Sequence, residues 1–244
     1  MIFTCNFAFG KRQLMKTLGL IGGTSWHSTV EYYSNINQAV NDHFGDNTNP
    51  PLIVFNLNQS LVHRYQVEDN WNGVADLLID AAERLQKAGA EAVMFCANTP
   101  HKMFDIVNEK VDVPILHIAD ATANAITRKS IKSVCFIGTK FSMEETFVTD
   151  RIAQHGIEVL VPQDKTEVEE LHRIIQKELT FGQIIPESKQ YVLDSMQAMM
   201  DRGAQGAVLG CTEFPLMMDE SDLDVPIFNT TNIHSEAAIE FVLS

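Results

Sequence analysis

The chain has 244 residues, of which 45% are hydrophobic and 20% charged, with a mean hydropathy of −0.05. This length is enough for one large or two small domains with proper cores. The formal net charge of −14 at pH 7 argues against nucleic acid and anionic membrane as partners, because both select basic surfaces. No apolar run in the sequence approaches the length of a membrane span. The composition is typical of a soluble globular protein.

The chain has four cysteines, Cys5, Cys96, Cys135 and Cys211. Their spacing matches no metal-ligand motif, so no metal is indicated, and reduced thiols in the cytoplasm are expected. Lys11 and Arg12 follow the apolar part of the first 14 residues, whereas a signal peptide carries its positive charge first. Residues 1–14 are therefore predicted to be a disordered extension in which Cys5 has no role.

The first half of the chain alternates short apolar runs with segments of helical periodicity. In chain order, the pattern predicts a strand from Lys16, a helix capped by Ser25 or Ser28, a strand from Pro51, a variable loop between Ser60 and Gly73, a helix over 73–88, a strand over 92–96, a helix from about Pro100, a strand from Val113 and a helix over 120–127.

The second half repeats this order. Segments that begin at Lys16, Gly89 and Asp112 return 116, 114 and 112 residues later, at Lys132, Gly203 and Asp224. The remaining pattern predicts a strand over 157–161 and helices over 167–178, 187–202 and 235–243. Because three repeated segments at nearly constant spacing are hard to obtain by chance, we infer that the chain consists of two homologous halves.

Strands that alternate with helices predict parallel sheets covered on both faces. The predicted fold is α/β, with two pseudo-symmetric lobes, each a parallel sheet flanked by helices. The first lobe is assigned to residues 15–115 plus 228–244, and the second to residues 116–227. Because ligands bind outside the carboxyl ends of such strands, an active site is expected in the cleft between the lobes.

Three motifs carry a resemblance to a known family: Gly19-Leu-Ile-Gly-Gly-Thr-Ser-Trp, Asn98-Thr-Pro-His and Gly210-Cys-Thr-Glu. From Met15 to Leu243 the chain resembles the aspartate/glutamate racemases. The resemblance implies a cofactor-independent amino-acid racemase, often a homodimer, that acts on a dicarboxylic amino acid. In the family, two cysteines face each other across the substrate α-carbon. One precedes Asn-Thr in the first lobe, and the other is the cysteine of Gly-Cys-Thr-Glu.

The resemblance implies a role for most of the site. Cys211 matches the acid/base of the second lobe, where a helix N-terminus is expected to stabilise the thiolate. Inversion of a stereocentre needs such a group to take the α-proton and another, on the opposite face, to return one. The substrate-binding positions that match are Thr24, Gln66, Asn98, Thr99 and Thr212.

The first lobe departs from the family pattern. The position opposite Cys211 is Ala97, which has no proton to give, and Cys96 is one residue early. On a strand, the Cys96 side chain is expected to face the other way. Three alternatives stay open. Cys96 reaches the cleft if the strand has ended, Thr99 or His101 relays a proton through water, or bulk water serves the second face.

The side-chain specificity and the reaction also leave alternatives. Some family members hold the distal carboxylate with an arginine and a lysine. The nearby candidates here are Arg64, with His63 on the expected register, and Lys165 or Arg173 in the second lobe. Two other functions stay open. One is a one-cysteine relative that protonates a carbanion from one side, such as a decarboxylase or isomerase, and the other is an amino-acid-binding protein without turnover.

Overall fold

The computed structural model describes residues 15–244, so the predicted extension and Cys5 lie outside the described residues. Within this range the strands form two four-stranded sheets, and every pairing is parallel. The first sheet consists of β1 (Leu18–Gly22), β2 (Leu52–Asn56), β3 (Ala92–Phe95) and β4 (Ile115–Leu116). The second consists of β5 (Ser133–Gly138), β6 (Glu158–Leu160), β7 (Ala207–Gly210) and β8 (Ile227–Asn229).

The two sheets have the same topology. The first has the order β2-β1-β3-β4 and the second the order β6-β5-β7-β8, so each strand of one sheet has a counterpart in the other. Both central pairs, β1 with β3 and β5 with β7, consist of fully buried residues, as expected for parallel strands that are covered on both faces. The predicted α/β fold with two pseudo-symmetric sheets is confirmed.

Ten α-helices surround the sheets within the described range. They are α1 (Trp26–Phe44), α2 (Gln59–Val67), α3 (Trp71–Lys87), α4 (Phe104–Asn108), α5 (Ile118–Arg128), α6 (Lys140–Glu144), α7 (Thr149–Ala153), α8 (Lys165–Lys177), α9 (Pro186–Asp201) and α10 (Thr230–Val242). Short 3₁₀ helices cover Thr99–Met103, Leu179–Phe181 and Phe214–Leu216. None of these helices is long and apolar enough to cross a membrane.

Polar side chains at strand ends start the helices that reach the cleft. Ser25, and not Ser28, caps α1, because its side chain accepts a hydrogen bond from the Ser28 backbone N–H. Asn58 caps α2 in the same way through the N–H of Leu61. The prediction of a variable loop between β2 and α3 is therefore wrong, because most of this stretch is the helix α2.

The C-terminal helix connects the two halves. Ala238 and Val242 of α10 pack in the same core as Leu18 of β1 and Tyr32 of α1. The chain thus returns to the first sheet after its last strand has paired with the second. Residues 228 and 229 belong to β8 and so to the second sheet, whereas the predicted boundary placed them in the first lobe. Leu116 belongs to β4 and so to the first sheet, whereas the predicted boundary placed it in the second lobe. The division of the chain into lobes otherwise stays a prediction.

Candidate active site

The carboxyl ends of the central strands enclose a cavity of about 80 Å³, with room for several water molecules. From the first lobe it is lined by Thr24, Ser25, Gln59, His63, Gln66, Ala97, Asn98, Thr99 and Pro100. From the second lobe it is lined by Thr139, Phe141, His172, Ile175, Gln176, Thr180, Gly210, Cys211, Thr212 and Glu213. The structure therefore brings together Cys211, Ala97 and all five predicted substrate-binding residues. Their roles stay predictions.

A tight turn after β1 delivers Thr24 to the cavity. Gly23 has φ of +82°, and a Cβ built on it would lie 2.2 Å from the backbone oxygen of Leu57. The Leu57 N–H donates to Gly22 O at 2.9 Å, which fixes the end of β2 beside this turn. Only glycine fits here, because the residue combines a left-handed backbone with backbone contact.

Cys211 follows directly after β7, and its thiol is largely buried. It is 8% exposed, and its Sγ donates a hydrogen bond to Glu213 Oε2 at 2.9 Å. Burial, followed by the charge of Glu213 and this hydrogen bond, raises the pKa of Cys211 well above its usual value. The N–H groups of Thr212 and Glu213 act in the opposite direction but more weakly. Burial and Glu213 therefore oppose the expected stabilisation of the thiolate by backbone N–H groups.

Two buried polar atoms in the cavity wall have no hydrogen-bond partner among residues 15–244. They are Thr24 Oγ1 and Asn98 Oδ1, on residues that are 8% and 5% exposed. Thr230 Oγ1 donates its only proton to Leu209 O at 2.8 Å and therefore accepts from Asn98 Nδ2 at 3.1 Å. This fixes the Asn98 amide with Nδ2 on Thr230 and leaves Oδ1 as a free acceptor. Such unpaired atoms are costly unless a ligand satisfies them.

Cys96 lies outside the cavity. Its side chain is 1% exposed and packs in the core between the first sheet, α1 and α10. Burial raises the pKa of this thiol. Because side chains alternate along the strand, Ala97 faces the cleft and Cys96 faces the helices, as the sequence predicted. The alternative in which Cys96 reaches the cleft is wrong.

His101 also lies outside the cavity lining. Its Nε2 accepts from Ile118 N at 3.2 Å, so its Nδ1 carries the proton, and Nδ1 lies 3.0 Å from Ala97 O. Burial, followed by the charges of His117 and His234, lowers its pKa well below the usual value. Both ring nitrogens are used by the backbone, so the His101 relay is wrong. Thr99 does line the cavity, and its hydroxyl lies 3.3 Å from that of Thr139 across the cleft.

The basic side chains that were candidates for binding the distal carboxylate of the substrate do not line the cavity. Arg64 is exposed, and Lys165 and Arg173 lie on a separate surface of α8. Arg173 is bonded to Glu170 and Glu178, each at 2.7 Å. No lysine or arginine of residues 15–244 lines the cavity. The alternative on the expected register, His63, does line it.

Glu213 lines the cavity but was not among the predicted site residues. Its Oε2 accepts from both the Cys211 thiol and the Thr212 hydroxyl, the latter at 2.8 Å. The sequence does contain a signal for this contact, because a carboxylate two residues after a cysteine in a tight turn is within hydrogen-bond reach of the thiol. Glu213 also borders a neighbouring cavity of about 470 Å³ that contains Glu31. Burial and the charge of Glu213 raise the pKa of Glu31.

The family model described as Asp/Glu/Hydantoin racemase matches residues 21–238. The chain belongs to this family. The match includes the end of β1, all of β2 to β8, the strand ends that line the cavity and most of α10. The predicted relationship and the prediction of an amino-acid racemase, hence of an isomerase, are confirmed.

Solved structures agree with this racemase over almost all of its length. A Yersinia pestis protein, provisionally described as an Asp/Glu racemase, is 39% identical and covers 94% of this chain and 100% of its own, with a TM-score of 0.89. An aspartate racemase homologue from Pyrococcus horikoshii OT3 is 36% identical over the same shares, with a TM-score of 0.82. The broad specificity amino-acid racemase RacX of Bacillus subtilis is 22% identical over 68% of this chain and 71% of its own.

Proposed function

We propose that this racemase inverts the α-carbon of aspartate or glutamate, with Cys211 as the acid/base on one face. The proposal rests mainly on one observation, a thiol at the end of β7 that lines the cavity and donates to a carboxylate. When the thiol passes its proton to Glu213, the resulting thiolate can accept the α-proton of the substrate. The electron pair that is left on Cα spreads into the α-carboxylate as an enediolate.

The polar groups of the cavity support binding of an amino acid. We infer that Asn98 Oδ1, which is a buried and free acceptor, accepts a hydrogen bond from the substrate ammonium group. The unpaired Thr24 hydroxyl and the Thr99 hydroxyl are the donors for the α-carboxylate, whereas the Thr212 hydroxyl already donates to Glu213. Donors that are already in place stabilise the charge that develops on this carboxylate in the transition state.

The substrate side chain has a different environment. Its contacts would come from Gln66 and the neighbouring amides Gln59 and Gln176, together with His172. The choice of aspartate or glutamate is supported by the family description and by the names of the related proteins. A panel of enantiopure amino acids with acidic, neutral and basic side chains tests this choice.

The experiment that tests the mechanism is replacement of Cys211 by alanine. Racemisation of aspartate and glutamate, followed by circular dichroism, should fall by about a hundredfold or more. Release of an α-deuterium label from at least one enantiomer should stop. Cys96→Ala is the matched control, because that thiol is buried in the core and should leave both rates unchanged. Full activity in Cys211→Ala would remove the mechanism.

One observation favours a second candidate reaction. Ala97 leaves the first-lobe face without an acidic side chain at the position of the repeat, as in an enzyme that protonates a carbanion from one side. Chiral analysis of the product separates the two reactions. Equal amounts of both enantiomers at equilibrium support racemisation, whereas release of CO₂ or a single enantiomer supports the one-sided reaction.

A homodimer in the cytoplasm is also proposed. Three apolar side chains of α1, Trp26, Val30 and Tyr33, are each more than half exposed and lie on one helix face. A second copy of the chain would cover such a face. Light scattering in solution measures the mass. A thiol acid/base also needs a compartment that keeps it reduced, which cell fractionation tests.

A further inference from the structure

Inversion requires a proton-exchanging group on each face of the α-carbon, and the described site supplies an evident one on only one face. Cys211 comes from the second lobe, and its counterpart in the internal repeat is Ala97, 114 residues earlier. Both residues line the cavity. The alanine methyl cannot exchange a proton, so a side chain that serves the second face has to come from another position of the first lobe.

The first-lobe wall of the cavity contains one side chain that is suited to this task. Apart from Ala97 and Pro100, its members carry hydroxyls, amides or an imidazole. Hydroxyls and amides do not titrate near neutrality, whereas histidine is the ordinary general acid/base at that pH. The imidazole belongs to His63. The other cavity histidine, His172, comes from α8 in the second lobe, on the side of Cys211.

The helix α2 holds His63 toward the site. Gln59, His63 and Gln66 are spaced four and three residues apart, so they share one face of α2, and all three line the cavity. Val62, on the adjoining strip of the helix, is fully buried against the first-lobe core and so anchors α2 beside the cavity. The His63 ring has no hydrogen-bond partner among residues 15–244, unlike that of His172, whose Nδ1 accepts from Lys140 N at 3.4 Å.

We propose that His63 is the second acid/base of the reaction, on the face opposite Cys211. This inference rests on the proposed function of Cys211. In one direction the thiolate removes the α-proton and becomes a thiol, and the electron pair remains on the enediolate. The His63 imidazolium then donates its N–H proton to the other face of Cα and becomes neutral. In the reverse direction the neutral imidazole takes the proton and the thiol returns one, so protons and charge balance.

The test compares His63→Asn with Cys211→Ala, using both enantiomers labelled with deuterium at Cα. Two opposed groups predict complementary losses. One variant releases the label from one enantiomer only, the other variant releases it from the opposite enantiomer only, and neither racemises faster than about a hundredth of the wild-type rate. His63→Asn should lower kcat and leave KM nearly unchanged. If His63 only held the side-chain carboxylate, KM would rise for both enantiomers and both would still release the label.

Matched controls make the result decisive. His43→Asn replaces a histidine in the last turn of α1, outside the cavity, and should keep wild-type rates. Far-UV circular dichroism checks that His63→Asn is folded. Racemisation by His63→Asn within about threefold of the wild type would overturn the assignment of His63 alone. If instead the wild type fails to release label from either enantiomer, the proposed function fails.

A rescue variant tests the position directly. Adding Ala97→Cys to His63→Asn returns a thiol to the site that faces Cys211 in the repeat. Racemisation should recover by about tenfold or more over His63→Asn, because a second acid is then present on the first-lobe face. A double variant that is no faster than the single variant would contradict the need for a proton donor on that face.

Discussion

At the residue scale, the main feature is the carboxylate that Cys211 shares with Thr212. Both donate to Glu213 Oε2, at 2.9 Å and 2.8 Å. Because burial and this negative charge hold the proton on sulfur, the thiol cannot take an α-proton until its own has left. The adjacent carboxylate is the group in place to receive it. In the proposed reaction Glu213 therefore has two effects: its charge disfavours the thiolate, and its carboxylate accepts the proton that leaves the sulfur.

Replacement of Glu213 by glutamine separates these two effects. Loss of the negative charge should lower the pKa of the Cys211 thiol, so alkylation by iodoacetamide should be faster at a given pH than in the wild type. Racemisation should nevertheless fall by about a hundredfold, because the proton acceptor is missing. Alkylation is followed by mass spectrometry and racemisation by circular dichroism.

The alkylation experiment needs an unambiguous thiol. Cys96 and Cys135 are fully buried, and burial raises the pKa of Cys135 to about 12, so neither should react in the native protein. A Cys5→Ala background removes the thiol that lies outside the described residues. Slower alkylation of Cys211 in Glu213→Gln would contradict the role given to the carboxylate.

At the scale of single elements, the turn that joins β1 to α1 controls where Thr24 lies. Gly23→Ala would place a Cβ against the backbone oxygen of Leu57, and a backbone contact of this kind cannot be relieved by a rotamer change. We expect a loss of about 2–4 kcal/mol in the free energy of unfolding. A rise in KM should accompany this loss, as Thr24 is displaced.

Gly45→Ala is the matched control for this change. Gly45 ends α1 with φ of +69°, but a Cβ there would meet nothing within 4 Å. Gly45→Ala should lower the free energy of unfolding by about 1 kcal/mol, the usual cost of a left-handed backbone in a residue other than glycine, and should leave KM unchanged. Urea unfolding measures both variants. Equal losses would show that steric contact at Gly23 contributes nothing.

The elements that could be predicted from the sequence are those with a strong local signal. β1, β3, β5 and β7 are continuous apolar runs that end at glycine or polar residues, and α3 has a clear apolar stripe. The helix α2 was missed because only Val62 of its residues is fully buried. Its stability comes from the Asn58 cap and from packing against the first-lobe core, which are tertiary features.

The candidate site was predicted to a similar extent and for related reasons. The repeat and the motifs place Cys211, Ala97 and Asn98 at strand ends, where parallel sheets bind ligands. Alternation along β3 also gave the direction of Cys96. The hydrogen bond from Cys211 to Glu213 and the position of His63 depend on side-chain directions after the strands have ended, which no periodicity encodes.

At the scale of the whole molecule, buried histidines join the halves. His234 of α10 accepts at Nδ1 from the Tyr32 hydroxyl and lies 3.0 Å from Leu116 O through Nε2. His117 caps α5 by accepting from Ala119 N, and His101 bonds to Ile118. Burial is the main cause that lowers all three pKa values, to about 2 for His117 and about 4 for His234.

Acid should therefore destabilise the fold. A histidine whose pKa is lower in the folded state takes its proton on unfolding, so its contribution is complete above the unfolded pKa of about 6.5 and is lost as the pH falls below it. When the pH falls from about 7.5 to about 5.5, each buried histidine should lower the free energy of unfolding by about 1.4 kcal/mol, or by about 4 kcal/mol for the three. Urea unfolding at the two pH values measures the difference.

His117→Asn provides the control for the pH effect. Asparagine can cap α5 in place of the imidazole but does not titrate. The variant should lose about one third of the pH dependence of the unfolding free energy. An unchanged pH dependence would assign the effect to groups other than His117.

The two hydrogen bonds of Thr230 have a consequence for how the cleft admits a substrate. Thr230, at the start of α10, holds Asn98 of the first lobe and Leu209 of β7 together. Separation of the lobes there would leave buried polar groups unpaired, which is costly. The Trp71 ring of α3 meets the Phe141 ring of α6 at 5.3 Å between centroids, and Lys102 bonds Glu145 at 2.6 Å. If the lobes move apart to admit a substrate, we expect these more superficial contacts to break before the buried Thr230 hydrogen bonds do.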